Sequence, residues 1–253
     1  MKCAVMQPTY LPWLGYFDLI DSVDKFVFLD DVKLEKSSWH VRNRIKTAQE
    51  GLYLTVPVKM TKGRDKLLIN ETLIQDNVPW RKKHLRSIFY AYRKSAFFDE
   101  VYPVVESIIN ANIERLADFN IGAIKSISVA IGIQKEFIRS STLKGVSGKK
   151  DARVVSICKN IDCSEYISPK GAADYIEKDR PGGQFPGNNI DLFYQNYEHP
   201  VYNQLYGEFL PYMSIVDLLF NHGFNKSLII VRKGRRDAIP YRDFRISLLK
   251  GRN

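Results

Sequence analysis

Five clusters of side chains in this 253-residue sequence have the types and spacing to do chemistry. The first is Gln7-Pro8-Thr9-Tyr10-Leu11-Pro12-Trp13-Leu14-Gly15-Tyr16, in which two prolines and a glycine stiffen a loop rich in amide, hydroxyl and aromatic groups. Gln7, Thr9, Tyr10, Trp13 and Tyr16 suit recognition of a substrate or a nucleotide base. The loop has no histidine and no glycine-rich phosphate cradle, so proton transfer must come from the residues around it. Asp30 and Asp31 are the catalytic candidates: they follow an apolar run and can hold magnesium or accept a proton, or else cap a turn. Trp39 with Arg42, Asn43 and Arg44 can clamp a phosphate or carboxylate, a solvated basic turn being the alternative. Lys144, Ser147, Lys149, Lys150 and Arg153, with Gly145 and Gly148, can surround an anion at a helix start, although the spacing is not that of a P-loop. The last cluster is Tyr202, Gln204, Asp217 and His222, in which Asp217 sits on an apolar helix face and needs a partner. His222 also suits a helix C-terminal cap.

The elements that must position these groups follow from hydrophobic periodicity. Residues 4–6, 25–29, 52–58, 137–138, 165–167 and 190–194 read as strands, with Pro57 marking an edge or an end. Residues 14–21, 80–92, 100–116, 118–131, 149–161, 171–176 and 211–223 read as helices, with Gly132 and Gly223 as stops. Residues 67–69 form an extended run after the polar turn Lys62-Gly63-Arg64-Asp65, and the Gly- and Pro-rich residues 180–189 form a connector or a mobile cover. Alternation of strand and helix predicts an α/β fold: a mostly parallel, nucleotide-binding-like sheet with flanking helices and right-handed crossovers. The expected organisation is one domain over residues 1–231, with a helical insertion at about 80–132, then a basic tail at 232–253. Ligands of such sheets bind beyond the carboxyl ends of the strands, which places the first loop at the centre of the prediction.

The net charge of +10 is unevenly spread. Arg232, Lys233, Arg235, Arg236, Arg242, Arg245, Lys250 and Arg252 face only Asp237 and Asp243, a local +6 that leaves +4 for the first 231 residues. A solvated terminal segment is the expectation, with contact to a membrane surface or an acidic protein as its functional form and nucleic-acid binding disfavoured. No apolar run is long enough to span a bilayer, and the N-terminus lacks signal-peptide features. Cys3, Cys158 and Cys163 are an odd, sparse set without zinc-site spacing, which predicts reduced thiols, a cytoplasmic location and no metal held by the cysteines.

The loop at residues 7–17, Leu29-Asp30-Asp31-Val32, Trp39 with Arg42-Asn43-Arg44, Tyr202 with Gln204, and the segment from Ser214 through Asp217, Asn221 and His222 to Gly223 together resemble the WbqC-like family over residues 1 to about 224. That family is associated with bacterial O-antigen (lipopolysaccharide) and other surface-polysaccharide gene clusters, so the resemblance implies a role in making or decorating a sugar precursor. An analogy with nucleotide-activating enzymes of the HIGH-motif class takes this further: residues 7–16 would hold ATP and residues 144–150 would close over its phosphates. The histidines of that motif are absent here. On this scheme ATP activates a carboxylate as an acyl-adenylate, and an amino group on a nucleotide-linked sugar attacks it. Asp30 or Asp31 would bind magnesium or take the amine proton. The resulting expectation is an amide-forming transferase or ATP-dependent ligase acting on an amino-sugar nucleotide. A non-catalytic accessory of polysaccharide assembly, and a nucleic-acid binder using the tail, are the alternatives.

Overall fold

The computed structural model describes residues 1–35, 38–60 and 66–244. The predicted turn at 62–65 and the basic residues Arg245, Lys250 and Arg252 lie outside the described residues. Six strands form the main sheet: β1 (Lys2–Met6), β2 (Lys25–Phe28), β5 (Glu136–Arg139), β6 (Glu165–Ser168), β7 (Asp191–Tyr197) and β8 (Arg235–Pro240), in the order β5-β2-β1-β6-β7-β8. All neighbours pair in parallel except β7 with β8. Two further strands, β3 (Arg42–Lys46) and β4 (Gly51–Thr55), make a separate antiparallel hairpin.

Strand residues alternate between two cores because both faces of the sheet are covered. Ala4, Phe26, Phe28 and Ile167 enter one core with α1 (Leu14–Asp21), α2 (Trp80–Tyr92), α3 (Phe98–Asn110), α4 (Leu116–Ala130) and α7 (Ile215–Lys233). Cys3, Val5, Val27 and Tyr166 enter the other with α5 (Lys150–Asn160) and α6 (Ala173–Ile176). The chain thus winds from β1 outward through β2 to β5, returns by α5 to the other side of β1, and winds outward again through β7. The winding reverses between β1 and β6, where a doubly wound sheet opens its crevice. Pairing there is short: Lys2 and Cys3 face Glu165 and Tyr166, whereas β1 pairs with β2 over four residues.

The predicted α/β class with a mostly parallel sheet holds, and helices α2 to α4 lie between β2 and β5 in the chain. Several local expectations change. Residues 42–46 form β3 instead of a basic turn, and residues 69–71 close into a 3-10 turn. The helix beginning at Ile215 does not stop at Gly223; it kinks there (φ +70°) and continues to Lys233, because the Glu100 carboxylate accepts the Phe224 N–H and restarts it. Residues 232–240 are not a solvated tail. They complete α7 and add β8 to the sheet, with Arg232 and Arg235 paired to Asp21, Arg235 also to Asp18, and Arg236 to Glu198. The cysteines are not three free thiols either, since Cys3 is disulfide-bonded to Cys163.

Candidate functional site

The loop between β1 and α1 is held through its carbonyl groups, which frees its side chains. Asn120 Nδ2 donates to Pro8 O (3.2 Å) and His40 O (2.8 Å), and Asn43 Nδ2 donates to Tyr10 O (3.1 Å) and Leu11 O (2.7 Å). Tyr16 Oη donates to Gln7 O at 3.0 Å, and Gln195 Nε2 to Gly15 O at 2.8 Å. These bonds satisfy an irregular buried backbone and hold Leu11 at φ +40°.

Two adjoining chambers open where this loop crosses the carboxyl ends of the strands. The first, of about 240 Å³, is lined by Met6, Thr9, Pro12, Trp13, Tyr16, Trp39, Asn43 and Tyr212. The second, of about 180 Å³, is lined by Met6, Trp13, Gly15, Tyr16, Pro169, Lys170, Gly171, Gln195 and Tyr197. Met6, Trp13 and Tyr16 belong to both, so the Trp13 indole divides one crevice into two. A side chain at position 15 would overlap that indole, which is why glycine stands there. The ring is further fixed by stacking on His199 and by edge contacts with Tyr197 and Tyr212. His199 Nδ1 lies 3.0 Å from the Pro200 carbonyl, which can only accept, so Nδ1 carries the proton. Its Nε2 is left as a buried lone pair with no partner among the described residues, and burial lowers the pKa of the ring. A larger, open groove of about 890 Å³ runs along α2 and α3, past Arg81, Arg86, Phe89 and Tyr90. It contains none of the predicted site residues and lies away from the strand ends, so the site is assigned to the crevice at the winding reversal.

The structure sorts the predicted site residues. Thr9, Trp13, Tyr16, Trp39 and Asn43 come together on the first chamber, with Asn43 also anchoring the loop. Tyr10 does not face it: its ring is wholly buried against Phe119, and its hydroxyl meets His84 Nδ1 at 2.9 Å. The neighbouring Gln7 is half-buried and lines neither chamber. Arg42 and Arg44 place their guanidinium groups over the Tyr53 ring on the hairpin.

Asp30 and Asp31 are consumed at the β2/β5 edge. Asp30, fully buried, accepts from Arg139 Nε (2.8 Å), the Ser141 N–H (3.0 Å) and Ser141 Oγ (2.8 Å), while Asp31 accepts from Ser140 Oγ (2.6 Å) and is paired with Arg153. A magnesium ion would have to displace two guanidinium groups, so these carboxylates do not fit it. Lys144, Ser147, Lys149 and Lys150 are exposed beside this edge, and none of them lines either chamber. The Asp151 carboxylate already occupies the start of α5 and accepts the Gln184 N–H, so the residues present do not fit an ATP phosphate cradle there.

Tyr202, Gln204 and Asp217 form a closed buried network. Asp217 accepts from Tyr92 Oη (2.9 Å), Tyr202 Oη (2.9 Å) and Gln204 Nε2 (2.8 Å), which answers its need for partners and ties residues 202–204 to α7. Burial raises the Asp217 pKa, with the three donors pulling the other way. His222, at the α7 kink, meets the Asn203 carbonyl at 3.1 Å. Six residues of the crevice escaped sequence reasoning: Pro169, Lys170, Gly171, Gln195, Tyr197 and Tyr212. With His199 behind Trp13, they come from segments more than 150 positions away, and only the turn character of residues 169–171 and the aromatic density near 197–202 hinted at them.

Fold and crevice define a doubly wound α/β protein with an aromatic, two-chambered crevice at the strand ends. Residues 7–229 match the WbqC-like protein family, and the chain belongs to that family. It is also 36% identical over 224 residues to "Uncharacterized protein Rv1507c" of Mycobacterium tuberculosis (strain ATCC 25618 / H37Rv), covering 88% of this chain and 94% of that protein. No solved structure matches. No helix among the described residues is long and apolar enough to cross a membrane.

Proposed function

We propose that the crevice between β1 and β6 binds a nucleotide-linked amino sugar and catalyses acyl or aminoacyl transfer to its amino group, in the biosynthesis of bacterial surface-polysaccharide precursors. The observation that carries this reading is the pair of chambers at the winding reversal, floored by strand ends and walled by Trp13, Trp39 and Tyr212. Each chamber is smaller than the roughly 300–1,000 Å³ typical of a whole drug-sized ligand, so each suits one ring or group of a larger molecule. Aromatic faces suit the apolar face of a sugar ring or a base, and Lys170, at the mouth of the second chamber, suits an anionic group.

Because the residues that would handle ATP and magnesium do not fit them, the acyl group on this reading arrives already activated. The amine attacks the acyl carbon, the leaving group departs, and the amine loses a proton. His199 Nε2 takes that proton: it is a neutral, unpartnered base, and ligand entry must shift the Trp13 indole to uncover it.

A thermal-shift series with UDP-, GDP- and dTDP-linked amino sugars at millimolar concentration tests the reading, since a ligand that prefers the folded state raises Tm by mass action. At least one should raise Tm and quench Trp13 fluorescence, and His199→Gln should retain that shift while losing transfer. Silence across the series contradicts the proposal.

A further inference from the structure

The three cysteines converge on the opposite end of the sheet from the crevice. Cys3 lies on β1, Cys163 stands two residues before β6, and Cys158 is on α5; all three are buried, and their sulfur atoms lie within 4.8 Å of one another. Cys3 is bonded to Cys163, and Cys158 Sγ lies 3.7 Å from Cys3 Sγ, at contact distance for two sulfurs. Nothing in the proposed transfer uses them. The bond sits beside the only register between β1 and β6, Lys2 with Glu165 and Cys3 with Tyr166, so it fastens the two halves of the sheet where their pairing is shortest.

We propose that Cys3, Cys158 and Cys163 form a thiol–disulfide exchange site that reacts with small thiols and disulfides of the glutathione class. Cys158, as thiolate, first swings into line with the Cys3–Cys163 bond, since the three sulfurs form a compact triangle, and then attacks Cys3 Sγ; a Cys3–Cys158 bond forms, the Cys3–Cys163 bond breaks, and Cys163 departs as a thiolate that takes up the proton Cys158 gave up. Atoms and electrons balance without an outside oxidant. Cys163 is the least buried of the three, 5% exposed against 0% for the other two, and it stands between the exposed Asp162 and Ser164. From there two small thiols reduce the site, the first forming a mixed disulfide with Cys163 and the second releasing it as the small disulfide, with two electrons and two protons delivered in all; a small disulfide reoxidises the site by the reverse steps. Burial pushes the Cys158 thiol up to about 12, so little thiolate is present while the cluster is closed and exchange is gated by its opening. The consequence is structural: in one state β1 is tied to the start of β6, and in the other it is tied to α5.

Peptide mapping by mass spectrometry, after acid quench and alkylation of the full-length protein, tests the site. Wild type equilibrated in a glutathione redox buffer should show the Cys3–Cys163 link with Cys158 free, and Cys163→Ser treated with oxidised glutathione should show a Cys3–Cys158 link and no glutathione adduct. Native-state labelling of Cys163 with iodoacetamide should fall several-fold in Cys158→Ser, where exchange cannot release it. This second readout needs neither Cys3 nor Cys163 replaced and therefore stands if Cys163→Ser misfolds. Equal labelling of Cys163 in wild type and Cys158→Ser would overturn the proposal. So would three unlinked thiols in the oxidised wild type, or a stoichiometric zinc ion held by all three in protein purified anaerobically.

Discussion

The ends of two neighbouring strands, β1 and β2, have been put to opposite uses. Beyond β1 the loop is tied down through its carbonyls by Asn43, Asn120, Gln195 and Tyr16, which leaves Thr9, Trp13 and the aromatic walls free to line space. Beyond β2 it is the side chains themselves, Asp30 and Asp31, that are tied down by Arg139, Ser140, Ser141 and Arg153, and no freedom remains. A cluster of charged residues at a strand end is therefore not by itself a site. What makes one is a backbone satisfied by other groups, so that its own side chains are left over for a ligand.

Acid should separate the two regions most strongly. His40 and His84 lie beneath the crevice loop, and burial lowers both pKa values to about 4 from 6.5. The unfolded chain then binds protons that the folded one does not, so their contribution to stability is complete above pH 6.5 and is lost as pH falls toward 4. The loss is on the order of 3 kcal/mol for each histidine. Urea midpoints measured from pH 7.5 to 4.5 should fall accordingly, and His84→Gln should remove about half of the slope; a flat profile between pH 7 and 5 would break this part of the account.

Next in size, Asp30→Ala leaves the Ser141 N–H without its acceptor and Arg139 with Asp118 as its remaining carboxylate partner, and should cost about 1–3 kcal/mol in chemical denaturation. A loss below about 1 kcal/mol would show that the edge is not the closed structural unit inferred from its bonds. The smallest effect on stability is expected in the crevice wall. Trp39 is 48% exposed, so Trp39→Ala should change unfolding free energy by no more than about 0.5 kcal/mol while abolishing the Tm increase given by a nucleotide-linked sugar. Unaltered ligand response in that variant would move the ligand off the first chamber.

The contrast also explains which parts of the molecule could be read from its sequence. The helix at residues 80–92 was legible to the residue because its apolar period is clean, and the strand expected at 25–29 forms over 25–28 because the chain is apolar from Phe26 to Leu29. The strand β3 was missed because one of its inward positions is Asn43, a polar residue turned inward to bind the loop carbonyls, which breaks the expected alternation. The strand β8 read as a basic tail because its charge is neutralised by Asp18 and Asp21 on α1, more than 200 positions earlier. The first loop was found from its prolines and aromatics, yet sequence could not show that Tyr10 turns into the core while Trp13 turns into the crevice. Nor could it reveal Lys170, Gln195 and His199, whose relevance comes only from strand order. Three cysteines scattered over 160 positions likewise gave no sign of convergence.

Hydrogen–deuterium exchange with and without the nucleotide-linked amino sugar that raises Tm tests the central claim most directly. Slowed exchange should be confined to residues 7–16, 38–43, 169–171 and 195–212, the segments that meet at the winding reversal. Protection centred instead on residues 139–153, with residues 7–16 unaffected, would place the ligand at the aspartate edge and contradict the account.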